Sequence, residues 1–368
     1  MSILIFLLIL SALVIVHELG HMSVAKFFGI KVDEFGLGYP PKAKTLFKWR
    51  GTEFTLNWLP FGGFVKIFGE NPALNGEQNQ DHRPDNFQSK NRGIQAAVLF
   101  AGVFFNFIFA WMMIALGFVS GLPAPAGFNL PTENEKTLIT VVMPGLPADR
   151  DGLRSGDAII SLSRDQETLL APDSNTTLTP ADVSEYIGRS LKPITFQVER
   201  GGQALTFVVT PQSGILPDKP AIGVSMESVG IVRLPPHQAL YYSLKATWEL
   251  TLSTAKALGV FIAQAFSGQA DFSGITGPVG LVGMTEDVAE LGFGYLLSFT
   301  AIISINLCLI NLLPFPALDG GRLMFVGIEA LVRKPIPAKI LNAVNAAGFA
   351  ILVFLMILIT IRDVRNIF

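Results

Sequence analysis

VIVHELGHMSVAKFFGI, residues 14–30, sets two histidines and a glutamate near the end of an apolar run that begins at Ile3. A run of about 20 apolar residues is long enough to cross a hydrocarbon core. Ionisable groups inside such a segment cost on the order of 2.5–3.5 kcal/mol each at mid-bilayer, so three within one turn point to a function. The plainer alternative is a pair of histidines hydrogen-bonded to neighbouring helices. His17 and His21 are spaced i, i+4 and so share one helix face, and Glu18 follows the first, as in His-Glu-x-x-His. In that pattern two neutral imidazoles bind one Zn2+ and the carboxylate takes a proton from activated water.

The composition suits a membrane setting. The 368 residues are 50% hydrophobic and 15% charged, with a mean hydropathy of +0.47, too apolar for an ordinary soluble protein. Four stretches, 3–28, 94–120, 295–313 and 340–361, read as transmembrane helices. The first lacks the basic start and small-residue cleavage site of a secretory signal. The stretch at 250–266, within 237–267, carries Lys256 and Gln264 and reads as an amphipathic helix along the membrane surface. The lone Cys308 excludes an internal disulfide, and a net charge of -2 without a basic stripe gives no reason to expect nucleic acid. Lys and Arg exceed the acids over 29–93, and Arg322, Arg333, Lys334 and Lys339 follow the third span, so both connections are expected in the cytoplasm and the acid-rich 121–290 outside it.

A catalytic zinc site takes three protein ligands and an open position. His82 and His237 lie in polar or interfacial stretches that suit surface roles. INLCLINLLPFPALDGGRLMF, at 305–325, offers Asp319 instead. Pro314 and Pro316 end the third span, and Gly320 and Gly321 permit a tight turn that holds the carboxylate at the mouth of a bundle. His17 lies about 15 residues, or roughly 22 Å, from the outer end of the first span, so both groups fall toward the cytoplasmic side.

Between spans two and three, TLITVVMPGLPADRDGLRSGDAIISLS (137–163) reads as a strand, a short helix with Ala148 inward, and a turn at Ser155-Gly156-Asp157 into a second strand. PADVSEYIGRS, PITFQVERGG and ALTFVVTP follow as a helix and a hairpin turning at Gly201-Gly202. The order resembles a circularly permuted PDZ domain of periplasmic proteases, with the signature PGxPAxxxGLxxGDxIxxL. That likeness implies an extended-peptide binder; a spacer without a ligand is the alternative. In the first cytoplasmic connection, GTEFTLNWLPFGGFVKIFGE (51–70) reads as a β-hairpin turning at Pro60-Phe61-Gly62-Gly63, apolar enough to associate with the membrane. An open edge there would suit an extended substrate segment; a surface hairpin that merely packs against its neighbours is the alternative.

Taken together, HELGH at 17–21, NLLPFPALDGG at 311–321, Gly102-x-x-x-Asn106 and the intervening PDZ-like stretch resemble the site-2 protease family of intramembrane zinc metalloproteases, nearest the RseP/RasP type. The resemblance implies a polytopic α-helical membrane protein of about four transmembrane helices with an inserted α+β PDZ domain and a membrane-associated β-hairpin. Its parts would be an N-terminal membrane core (1–121), the PDZ domain (122–215), post-PDZ amphipathic helices (216–294) and a C-terminal membrane core (295–368). It further implies that His17, His21 and Asp319 bind Zn2+, that Glu18 is the general base, and that Asn311 and Asn306 hold substrate backbone. The expected activity is cleavage of single-span membrane proteins, anti-sigma factors or signal peptide remnants, by a monomer in the bacterial inner membrane. Its PDZ domain would be extracytoplasmic and its active site toward the cytoplasm. One departure stands out: the proteobacterial branch has two tandem PDZ domains, and Gly121–Pro236 has room for one. A non-catalytic PDZ scaffold or chaperone and a metal transporter are the rival readings.

Overall fold

The structure is a computed structural model and describes residues 2–70, 83–125, 131–165, 167–170, 178–216, 219–269 and 276–367; His82 lies outside them. In chain order the helices are α1 (Ser2–Phe27), α2 (Arg92–Ser120), α3 (Pro147–Arg150), α4 (Pro180–Gly188), α5 (Pro236–Phe266), α6 (Pro278–Leu291), α7 (Phe293–Leu312), α8 (Asp319–Val332) and α9 (Ala338–Ile367). The strands are β1 (Val32–Trp49), β2 (Thr52–Ile67), β3 (Leu122–Pro125), β4 (Glu133–Val142), β5 (Ala158–Arg164), β6 (Glu167–Leu169), β7 (Ile194–Arg200), β8 (Gln203–Val209) and β9 (Val224–Val232). Among the described residues, four helices are long and apolar enough to cross a membrane: α1, α2, α7 and most of α9. They coincide with the four stretches expected from sequence. The stretch at 250–266 belongs to α5, which buries Ala239, Ser243, Ala246 and Thr247 along one face and exposes Tyr241, Trp248 and Phe266.

The chain divides into two compact units. The first comprises Met1–Ala115, Leu240–Glu286 and Leu297–Phe368. Here α1 meets α2 through glycines: a Cβ on Gly20 would lie 2.5 Å from the Ala101 carbonyl oxygen, so only glycine lets the backbones approach this closely. At its far end α1 stops where Gly29 turns to φ +68, with Ile30 N–H donating to the Ala25 carbonyl at 2.8 Å.

The chain then enters a curled sheet in which β1 pairs with β2 over two registers. Residues 34–37 lie between, with Phe35 facing Val65 on one side and Phe54 on the other, while Thr45 faces Thr55. The turn expected at 60–63 is instead a bend inside β2. The chain reverses at Arg50-Gly51, both at positive φ (47 and 78), the geometry of a tight two-residue hairpin turn. Arg50 is held there by Lys26, whose Nζ donates to the Arg50 carbonyl at 3.0 Å. One face of the sheet buries Val32, Phe35 and Ile67 against Met22 and Ala25 of α1, Val98 and Leu99 of α2 and Val326 of α8. Tyr39, Phe47, Trp49, Leu56, Trp58 and Leu59 remain exposed.

The second unit, Leu116–Ala239 with Asp287–Leu296, is built on a seven-stranded sheet ordered β3-β9-β4-β5-β7-β8, with β6 beside β5. Its core gathers Ile139, Ala148, Leu153, Leu162, Val183, Tyr186, Phe196 and Val198. The hairpin β7–β8 turns at Gly201 and Gly202, both at positive φ, pairing Arg200 with Gln203. Thr179 caps α4, its hydroxyl receiving the Asp182 N–H while the Asp182 carboxylate receives the Thr179 N–H. Asp157, fully buried, accepts from Arg200 Nε at 2.6 Å and from the Arg154 N–H at 2.9 Å. The sheet does not stop at residue 215, where the sequence reading closed this domain. It continues through β9, which supplies the partner of both β3 and β4.

Candidate metal centre and active site

One turn of α1 brings His17 and His21 together, with ring centroids 4.7 Å apart and nearly perpendicular planes. Their Nε2 atoms are 3.1 Å apart. The third member arrives from far along the chain. After α7 the backbone leaves the helix at Pro314, takes a positive φ at Ala317, and starts α8 at Asp319. Side chains are excluded on both sides of this corner: a Cβ on Gly320 would lie 2.3 Å from the Leu312 carbonyl oxygen, and one on Gly321 2.2 Å from that of Phe315. The Ala317 N–H also donates to Asn345 Oδ1 of α9 at 3.3 Å. The corner is thus fixed, and with it the carboxylate.

Asp319 Oδ2 lies 2.9 Å from His17 Nε2 and 3.4 Å from His21 Nε2. Donor atoms of all three side chains fall within 4.8 Å of one another. Oδ2 is buried, yet its contacts to the imidazoles lack the angles of a good hydrogen bond, leaving it without a partner. A buried carboxylate oxygen in that condition, facing two imidazole nitrogens, fits a cation such as zinc, whose usual donors are these. His21 Nδ1 lies 2.8 Å from the Val98 carbonyl oxygen. A carbonyl only accepts, so Nδ1 carries the proton and Nε2 keeps its lone pair for the cluster.

Glu18, half-buried on the next position of α1, faces the backbone of Val65 in β2. Arg322, one turn into α8, bonds the Glu70 carboxylate and reaches its carbonyl at 3.2 Å, while Arg92 at the start of α2 pairs with Glu329 at 2.8 Å. These two pairs tie α8 to the chain just past β2 and to α2, and neither was foreseen from sequence.

The predicted site residues separate into two groups. His17, Glu18, His21 and Asp319 come together. On α7 the buried stripe runs Leu297, Ala301, Ser304, Cys308, and Asn311 extends it, half-buried. Asn306 lies off the stripe and is exposed. Asn106, noted in the sequence only as part of a glycine-to-asparagine spacing, is fully buried against His17.

A membrane-embedded His-Glu-x-x-His helix joined by a distant aspartate defines a metallopeptidase working among transmembrane helices. The chain matches the model of Peptidase family M50 over residues 5–355. It is 35% identical over 369 residues to a putative zinc metalloprotease of Clostridium perfringens, covering 99% of this chain and 98% of that one. It is 28% identical over 440 residues to the zinc metalloprotease RasP of Geobacillus kaustophilus, covering 100% and 98%. A putative zinc metalloprotease of Campylobacter jejuni is 30% identical over 370 residues, covering 98% and 92%. The chain belongs to peptidase family M50, the zinc-dependent site-2 proteases. It is therefore an intramembrane metalloprotease, as the sequence motifs led one to expect.

Proposed function

We propose that this protein cuts single-span membrane proteins within or near their transmembrane segment, as a step of regulated intramembrane proteolysis. Anti-sigma factors and signal peptide remnants are the substrate types in view. The observation that carries the reading is the convergence of Asp319, at the start of α8, on His17 and His21 beside Glu18 in the apolar helix α1. His17, His21 and Asp319 hold the zinc. Zinc bound there supplies Lewis-acid activation of water and of the scissile carbonyl. Glu18 accepts the proton of the attacking water and returns it to the leaving amine. A substrate helix must unwind to be cut, and its freed backbone groups need amide partners; Asn311, and at the exposed face Asn306, serve in that role. The apolar exposed face of the β1–β2 sheet rests in the bilayer surface, and an edge of that sheet receives the unwound segment.

The sheet domain acts as a PDZ-type filter on the extracytoplasmic side of the bacterial inner membrane, with the active site toward the cytoplasm. Supporting this, the Val224–Ser228 part of β9 pairs with β4, whereas β3 covers only Val229–Val232. A cavity of about 120 Å3 lies beside this open edge, lined by Ser184 and Ile187 of α4 and by Gly223, Val224 and Met226. An extended peptide could add there as a strand.

The test is cleavage of a single-span reporter by the purified protein and by Glu18→Gln, with bound zinc measured in both. Loss of about 10²–10⁴-fold in rate with zinc retained is expected for removal of a general base. Undiminished cleavage by Glu18→Gln, or a wild type that binds zinc and cuts no reporter, would overturn the reading.

A further inference from the structure

Helix α2 presents Val98, Gly102 and Asn106 to α1 at intervals of four residues, hence along one face. Gly102 is the slot beneath the two imidazoles: a Cβ there would lie 2.4 Å from His21 Nε2 and 2.7 Å from His17 Cε1. Val98 and Asn106 flank it, and each meets the Nδ1 of one histidine, at 2.8 Å for His21 and 3.2 Å for His17. The Val98 contact has one meaning, since a carbonyl can only accept. Asn106 offers both a donor and an acceptor, and the two ends of an amide are nearly identical in shape.

The orientation drawn has Nδ2 against His17 Nδ1. A donating amide would require the imidazole proton to sit on Nε2, the atom 2.9 Å from Asp319 Oδ2. That tautomer cannot ligate a metal through Nε2. Asn106 Oδ1 is buried and has no partner, so rotating the amide by half a turn breaks no other side-chain hydrogen bond. The rotation sets Oδ1 against Nδ1, which then carries the proton, and returns the Nε2 lone pair to the cluster. His17 and His21 would then be held alike, each by an oxygen of α2.

We propose that Asn106 is a positioning residue for His17, its side-chain oxygen accepting from Nδ1–H in the metal-holding state and so fixing the tautomer that ligates. This rests on the zinc site proposed above and extends it to the layer behind the ligands, where partners of this kind typically change metal affinity by 10–100-fold.

The experiment measures zinc affinity by chelator competition on the full-length protein and on Asn106→Asp, Asn106→Leu and His17→Ala. It also records the imidazole nitrogen-15 spectrum of the zinc-loaded wild type, with His17 assigned by its loss in His17→Ala. Aspartate keeps an oxygen acceptor and should hold zinc within a few-fold of wild type, whereas leucine should weaken it about 10–100-fold. The spectrum should show His17 protonated at Nδ1. An Asn106→Asp variant as weak as Asn106→Leu, unchanged affinity in Asn106→Leu, or a His17 bare at Nδ1 would each overturn the inference. The spectrum needs no Asn106 variant, so it decides even if leucine spoils folding. Undiminished zinc affinity in His17→Ala would instead sink the zinc site itself, which separates the two failures.

Discussion

Gly102 lies against both histidines of the proposed zinc site without having a side chain. A methyl group there would meet atoms of two rings that are already held, His21 by the Val98 carbonyl and His17 by Asn106. Neither ring is the free end of a flexible chain, so the cluster must open to admit it. Gly102→Ala should therefore lower zinc affinity by about tenfold or more, although alanine favours the helix by up to about 1 kcal/mol. Chelator competition read beside helix content checks this, and wild-type affinity in the variant would disprove the crowding argument. Residue spacing made much of the cluster legible in advance. His17, Glu18 and His21 lie within one turn, and Asp319 is marked by prolines and glycines. The Val98 carbonyl was not legible, because every residue has one and only the packing of α2 on α1 selects it.

At the level of elements, the helices were easier to read than the sheet beside them. A span is a local property, about 20 apolar residues whose backbone bonds close within the segment. The pairing of β1 with β2 is not local. Residues 34–37 are shared by two stretches of β2, and no alternation pattern announces which stretches share a strand. The reversal also moved, because Pro60-Phe61-Gly62-Gly63 looks like a turn by composition while Arg50-Gly51 is one by geometry. What the alternation did show is an apolar face left over after α1 and α2 are satisfied. Trp58 is 71% exposed on it, and tryptophan favours the membrane–water boundary. With Trp49, Trp111 and Trp248 replaced by phenylalanine, Trp58 fluorescence should be quenched strongly by brominated lipid after reconstitution. Emission unaffected by such lipid would place this face in water and remove the reason for calling the hairpin membrane-associated.

For the molecule as a whole, the reading proposed above gives the chemistry to one unit and the selection of substrates to the other. The strand order of the second unit was only partly foreseen. The signature around Gly145–Leu162 was plain, but β9 falls within 216–294, which the sequence assigns to post-PDZ amphipathic helices. Yet β9 supplies the open edge beside α4, so the groove was the least legible part of the domain. Ser184 faces that groove and donates no core contact of its own; it accepts a hydrogen bond from Lys219 Nζ at 3.0 Å. Ser184→Trp should fill the groove while leaving Val183, Tyr186 and Ile187 in the core. If the groove takes up the chain end exposed by a first cut, the variant should cleave trimmed substrates more slowly. Its preference for trimmed over intact ones should fall by about tenfold, the equivalent of 1.4 kcal/mol of lost binding. A short reporter without any outer segment should be cut at the wild-type rate, since His17, Glu18, His21 and Asp319 are untouched. Comparing the three rates distinguishes the possibilities: an unchanged preference would mean that substrates are selected by size or by their membrane segment, and that the groove is a spacer's surface.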